Sequence, residues 1–151
     1  MRKIAVYILI LGAAVAIPIR GTDVGRLHPV ELIQIYKVGE QVSIVTDTGA
    51  SGQGINAGEA IEDLKATTSG IVFLDTAEYL LVDGSAMEEI TQMRNYLKRS
   101  VRVCESRGQI DTEVASGFLA SHKPALRLED AQNTGSLPVL SIENGKMILK
   151  E

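Results

Sequence analysis

The stretch from Asn56 to Val82 constrains the fold of this chain more than any other. Asn56 can cap a helix, because its side-chain oxygen can accept from the free N–H groups of the first turn. Glu59, three residues on, can reach back toward the cap. Ala57, Ala60, Ile61 and Leu64 then recur on one face, with Glu59, Glu62, Asp63 and Lys65 on the other. Thr67-Thr68-Ser69-Gly70 favours leaving the helix. Two short apolar runs follow, Ile71–Leu74 and Tyr79–Val82, parted by a bend at Asp75-Thr-Ala. Runs of this length bounded by polar residues suit strands buried on both faces. An amphipathic helix followed at once by buried strands requires a sheet for the helix to pack on, centred on these strands.

On either side the pattern changes. Glu31–Lys37 and Gln41–Asp47 alternate about Val38-Gly39-Glu40 and predict a β-hairpin. Gly49–Gly54 reads as a loop or a ragged edge strand. Ser85 with Glu88 suggests a second capping box, for a helix with Met87, Ile90, Met93 and Leu97 inward and Lys98-Arg99 at its C-terminal end. Val101–Glu105 reads as a strand. Asp111 can cap a third helix that turns Val114, Phe118 and Leu119 inward and ends near His122-Lys123. Leu137–Ile142 and Lys146–Leu149 flank Asn144-Gly145, a strong hairpin signal. Helices and strands thus alternate only in the middle, with hairpins at both ends. The expected fold is α+β: a mixed sheet of about five to six strands carrying about three helices, mostly on one face.

The N-terminus stands apart. Arg2-Lys3 precede Ile4–Ile19, sixteen residues without a charge, and Ala14-Val-Ala16 lies near its end. This matches a secretory signal, and an uncleaved membrane anchor remains open although the run is short for a span. Residues 1–20 are therefore expected to be a signal peptide or anchor, 21–30 a linker, and 31–150 a single domain outside the cytoplasm. Residues 21–151 hold 12 basic and 19 acidic groups. That balance repels phosphate backbones and excludes nucleic acid as an expected partner. Membrane contact is expected only through residues 4–19.

Candidate chemistry is sparse. Val45-Thr-Asp-Thr-Gly-Ala-Ser51 contains Asp-Thr-Gly, the motif by which aspartic proteases place a carboxylate on water. A chain of this length would need to dimerise to supply the second carboxylate. Thr46 stands where that family has an apolar residue, Ser51-Gly-Gln-Gly-Ile follows where an apolar strand should run, and no apolar-apolar-Gly brace appears downstream. Asp47 is thus a catalytic candidate only under the alternative reading of a dimeric, retroviral-type protease. His28 and His122 lie far apart, with no ligand at helical or turn spacing, so no metal and no cofactor are expected. Glu62-Asp63 and Glu88-Glu89 read as solvated helix faces. Cys104, the single cysteine, reads as a small hydrophobe within a strand. Ser51, Gly52, Gln53, Gly54 and Ile55 form a possible interaction edge.

The run Gly54, Asn56-x-x-Glu59-Ala60-Ile61-x-x-Leu64, Ser69-Gly70-x-x-Phe73 and Tyr79-Leu-Leu-Val82-x-Gly84 resembles the N-terminal domain of the C-subunit lipoproteins of spore germinant receptors. Val101-Arg102-Val103 and Leu137-Pro-Val-Leu140 extend the likeness, which covers roughly residues 30 to 142. The family's lipid-bearing Cys and two further domains have no counterpart here. The resemblance implies a secreted or membrane-tethered, non-catalytic, single-domain relative, acting through membrane or envelope proteins. It carries over no active-site residue.

Overall fold

A computed structural model describes residues 27–151, so the apolar run 4–19 lies outside the described residues. The architecture is α+β. A seven-stranded mixed sheet contains β2 (Leu32–Val38), β3 (Gln41–Thr46), β4 (Ser51–Gly54), β6 (Tyr79–Asp83), β7 (Arg102–Ser106), β8 (Val139–Glu143) and β9 (Lys146–Lys150). Its order is β4-β3-β2-β6-β7-β8-β9. The four central strands β2, β6, β7 and β8 run parallel, and antiparallel strands flank them on both sides. Strand β6, built from the most apolar run, takes the middle position, as expected for a strand buried on both faces. Both hairpins form as read: Val38 pairs with Gln41 across Gly39-Glu40, and Glu143 with Lys146 across Asn144-Gly145. Asn144 and Gly145 both adopt positive φ, the geometry that matches a tight turn to the twist of its strands.

Two cores enclose the sheet. On one face Ile33, Ile35, Val42, Ile44, Leu80, Val82 and Val103 pack against α1 (Ala57–Thr67) and α2 (Ile90–Met93). On the other, Leu32, Tyr79, Leu81, Cys104 and Leu140 meet Ala115 and Leu119 of α3 (Thr112–Ser121). Two of the three helices thus share a face and α3 closes the other. Buried Gln34 of β2 donates to Ser106 Oγ at the end of β7 at 3.2 Å and to the Gly108 carbonyl at 3.1 Å, and accepts from Ile110 N–H at 3.4 Å. A buried amide satisfied on both sides fixes the loop that leads into α3.

Several expectations give way. Ile71–Phe73 forms β5, which leaves the main sheet and pairs in parallel with β1 (Leu27–Pro29), a strand within the segment expected as linker. Only Val72 points into the core, whereas Ile71 and Phe73 are 47% and 40% exposed. A 3-10 turn at Leu74–Thr76 then makes the bend expected of Asp75-Thr-Ala. Asp83, not Ser85, caps the segment after β6, which is a 3-10 stretch at Gly84–Glu89 followed by only four α-helical residues. The Asp83 carboxylate accepts from both the Ser85 N–H and the Ser85 hydroxyl, and that hydroxyl in turn accepts from the Lys37 N–H, which engages it away from the helix start. Met87 is at the surface. Val114 is 58% exposed, and Ala115 and Ser116 are buried in its place. The true inward stripe of α3 starts at Thr112, whose hydroxyl donates to the Thr46 carbonyl at 3.0 Å.

Candidate functional site

The Asp47 loop closes the β3–β4 hairpin. Thr46 N–H bonds the Ala50 carbonyl at 2.9 Å, and the Thr46 and Thr48 hydroxyls lie 2.8 Å apart. Gly49 takes a positive φ, which the tight turn demands and glycine adopts at no steric cost. Both Asp47 carboxylate oxygens accept from the Glu31 N–H at 3.2 Å, while Asp47 N–H donates to the Leu32 carbonyl at 3.1 Å. Burial pushes the Asp47 carboxyl above its ordinary range, against the lowering effect of these backbone bonds. Nearby, Glu31 accepts from Ser116 Oγ at 3.2 Å. In this single chain Asp47 ties the start of β2 to the end of β3, in the manner of a turn aspartate.

Ser51–Gly54 is an outermost strand of the sheet, so the sequence reading of an edge is correct as to position. Several of its outward polar groups are engaged by α1. Gln53 N–H donates to Asp63 Oδ2 at 2.9 Å, Ile55 N–H to Glu59 Oε2 at 3.2 Å, and the Thr67 hydroxyl to the Ser51 carbonyl at 3.3 Å. Covering an edge with a helix is a known guard against unwanted strand addition. The two glycines allow it. A Cβ at Gly52 would lie 2.2 Å from the Ala60 carbonyl oxygen, and one at Gly54 would lie 2.6 Å from Ala60 N. The edge also presents the side chains of Gln53 and the 70% exposed Ile55.

The N-terminus of α1 is fully occupied by the chain itself. Asn56 accepts from Glu59 N–H at 3.0 Å, as read from sequence, while the Glu59 carboxylate goes to Ile55 instead of the cap. Ala57 N–H donates to Glu89 Oε2 at 3.0 Å, and Gly58 N–H to Gln92 Oε1 at 3.4 Å. Glu89 is only 6% exposed, which corrects its reading as a solvated residue. Lys37 neutralises it from 3.7 Å and also pairs with Glu88, whose hydrogen bond holds the Lys37 ammonium above its ordinary range. Nothing near Glu89 in sequence announces this, because its partners lie 32 and 52 positions upstream.

The remaining reactive types are held in structural settings. Cys104 is buried, and desolvation pushes its thiol up to about 12. His28 bonds the Ser69 carbonyl at 2.9 Å. His122 stacks on Phe118 with centroids 4.2 Å apart and reaches the Phe118 carbonyl at 3.1 Å. Among the described residues no group of three His, Cys, Asp or Glu is placed to hold a metal. An open cleft of about 600 Å³ lies where β2, β6 and β7 begin, lined by Pro29, Glu31, Phe73, Glu78, Lys98 and Arg102 among others. It sits opposite the carboxyl ends of the parallel strands, where open α/β sheets bind their ligands. No family model matches the chain, and neither a curated protein nor a solved structure shows significant similarity to it.

Proposed function

We propose that this chain is a non-catalytic, exported or membrane-tethered interaction domain of the cell envelope, working in sporulation or germination. The observation that carries the reading is the basic start and uncharged run Arg2–Ile19, which precedes a folded domain whose first described strand is Leu27–Pro29. The engagement of Asp47, Glu59, Asp63 and Glu89 with backbone N–H groups of a turn, the β4 edge and the start of α1 supports it, since each carboxylate has a structural task. The setting rests on the resemblance to the germinant-receptor C subunits. The surface offered to a membrane or envelope protein is the side-chain face of Ser51–Ile55 together with the exposed Glu62 of α1. Fractionation of growing and sporulating cells, with an antibody against the domain, tests both parts. Full-length protein in membrane or spore layers of sporulating cells is the expected result. An equal presence in the soluble fraction of growing cells would contradict it.

A further inference from the structure

The small sheet of β1 and β5 presents an apolar face on which Pro29, Ile71 and Phe73 are exposed and Leu27 is half-buried, and its Pro29–Phe73 end borders the cleft that Glu31, Glu78, Lys98 and Arg102 line. Its parallel register pairs Leu27 with Ile71 and Pro29 with Phe73, and paired residues share a face. The opposite face carries Val72 into the core. Four apolar side chains therefore look outward together, and two of them, Ile71 and Phe73, are among the large hydrophobic residues left exposed. The backbone beneath them is held by hydrogen bonds. Thr76 Oγ1 accepts from Val30 N–H at 3.0 Å and donates to the Phe73 carbonyl at 2.8 Å.

The position of this face relative to the rest of the chain gives it an occupant. The uncharged run ends at Ile19-Arg20, and β1 starts at Leu27. Seven residue steps reach at most about 25 Å even when fully extended. If residues 4–19 lie in a bilayer, the face that bears β1 cannot be far from its surface. From the reading of the chain as membrane-tethered, on which this step rests, we infer that Leu27, Pro29, Ile71 and Phe73 seat the domain on the bilayer interface. A protein partner fits the patch less well, since stable interfaces engage about 20–30 residues a side. Tethering removes that requirement, because a short linker holds the patch at a high effective concentration against the membrane. The surplus of acid in residues 21–151 opposes anionic headgroups, so the contact is apolar and favours zwitterionic lipid.

The chain contains no Trp, so single tryptophans report their own surroundings. Full-length Phe73→Trp and, as a second reporter on the same face, Ile71→Trp are reconstituted with phosphatidylcholine vesicles, with and without brominated acyl chains. Ile142→Trp, exposed near the carboxyl end of β8 and on the opposite sheet face from the first core, is the control. A side chain seated roughly 5–10 Å into the headgroup boundary should lose much of its emission to the bromines. The inference expects that loss at positions 73 and 71, a blue-shifted spectrum there, and no loss at 142. Vesicles that carry the protein on flotation but quench 73 and 71 no more than 142 would overturn the seating and leave the tether standing. Protein that fails to float with vesicles would overturn the tethered reading itself.

Discussion

Replacing Gly52 by Ala should be among the most damaging single-methyl changes this domain can suffer. An ideal Cβ there would lie 2.2 Å from Ala60 O, 2.4 Å from Leu64 N and 2.6 Å from Leu64 Cβ. Two of these atoms are helix backbone, which cannot turn aside as a side chain can. Relief therefore requires α1 to lift from β4 by about 1 Å, which loosens Ala60 and Leu64, both fully buried. Overpacking of this kind costs about 1–3 kcal/mol, and the rigid neighbours place Gly52→Ala at about 3 kcal/mol. That is a large part of a typical total of roughly 5–15 kcal/mol. In urea unfolding it corresponds to a midpoint lowered by about 1–2 M, and in melting to a fall of roughly 10 °C. Gly117→Ala supplies the contrast, since a Cβ there meets nothing within 4 Å in the middle of α3. The same methyl group should then stabilise by about 0.5–1 kcal/mol, as alanine does in helices. Equal midpoints for Gly52→Ala and the native chain would refute the direct seating of α1 on β4.

Other perturbations test separate parts of the structure. Glu89→Ala leaves the buried Ala57 N–H without its acceptor and should cost about 1–3 kcal/mol in urea unfolding. Cys104 should resist a thiol reagent in the native protein at pH 8 and react fully in denaturant; a fast native reaction would show that its strand is not buried. The Ser85 hydroxyl, the Ser85 N–H and the Gly108 N–H hold the Asp83 carboxyl below its ordinary range. Stability from Asp83 is accordingly complete above the usual carboxylate value of about 4 and is lost as pH falls through the lower folded value. The native chain should thus exceed Asp83→Asn in stability by a constant margin above about pH 5, with the margin shrinking below pH 4. A margin independent of pH would rule out the bonded carboxylate.

Local signals carried much of the fold. Asn56 and Asp111 announce their helices because a cap acts over two or three residues, and Asn144-Gly145 announces its turn for the same reason. The apolar run at Tyr79–Val82 stands out because a strand covered on both faces has no polar side. What sequence could not supply was the placement of elements against one another. Ile71–Phe73 is apolar enough for the main sheet, yet β1 claims it as a partner and the 3-10 turn directs the chain on to β6. The stretch after Asp83 shows helical spacing, but the tight Asp83-Ser85 bonds start it as a 3-10 stretch. Glu88 and Glu89 look alike in sequence, and only tertiary packing separates the exposed partner of Lys37 from the buried cap of α1. At the Ser51–Ile55 edge the position was legible, whereas its closure by Asp63, Thr67 and Glu59 depends on how closely two glycines let the helix approach.

The most direct test of the proposed role is the side of the membrane on which the domain resides. Two fusions to the C-terminal Glu151 of the full chain decide it: a phosphatase active only outside the cytoplasm, and a fluorescent protein that matures only inside. The account predicts an active phosphatase and a dark fluorescent fusion. A bright fluorescent fusion with an inactive phosphatase would place the domain in the cytoplasm and contradict it.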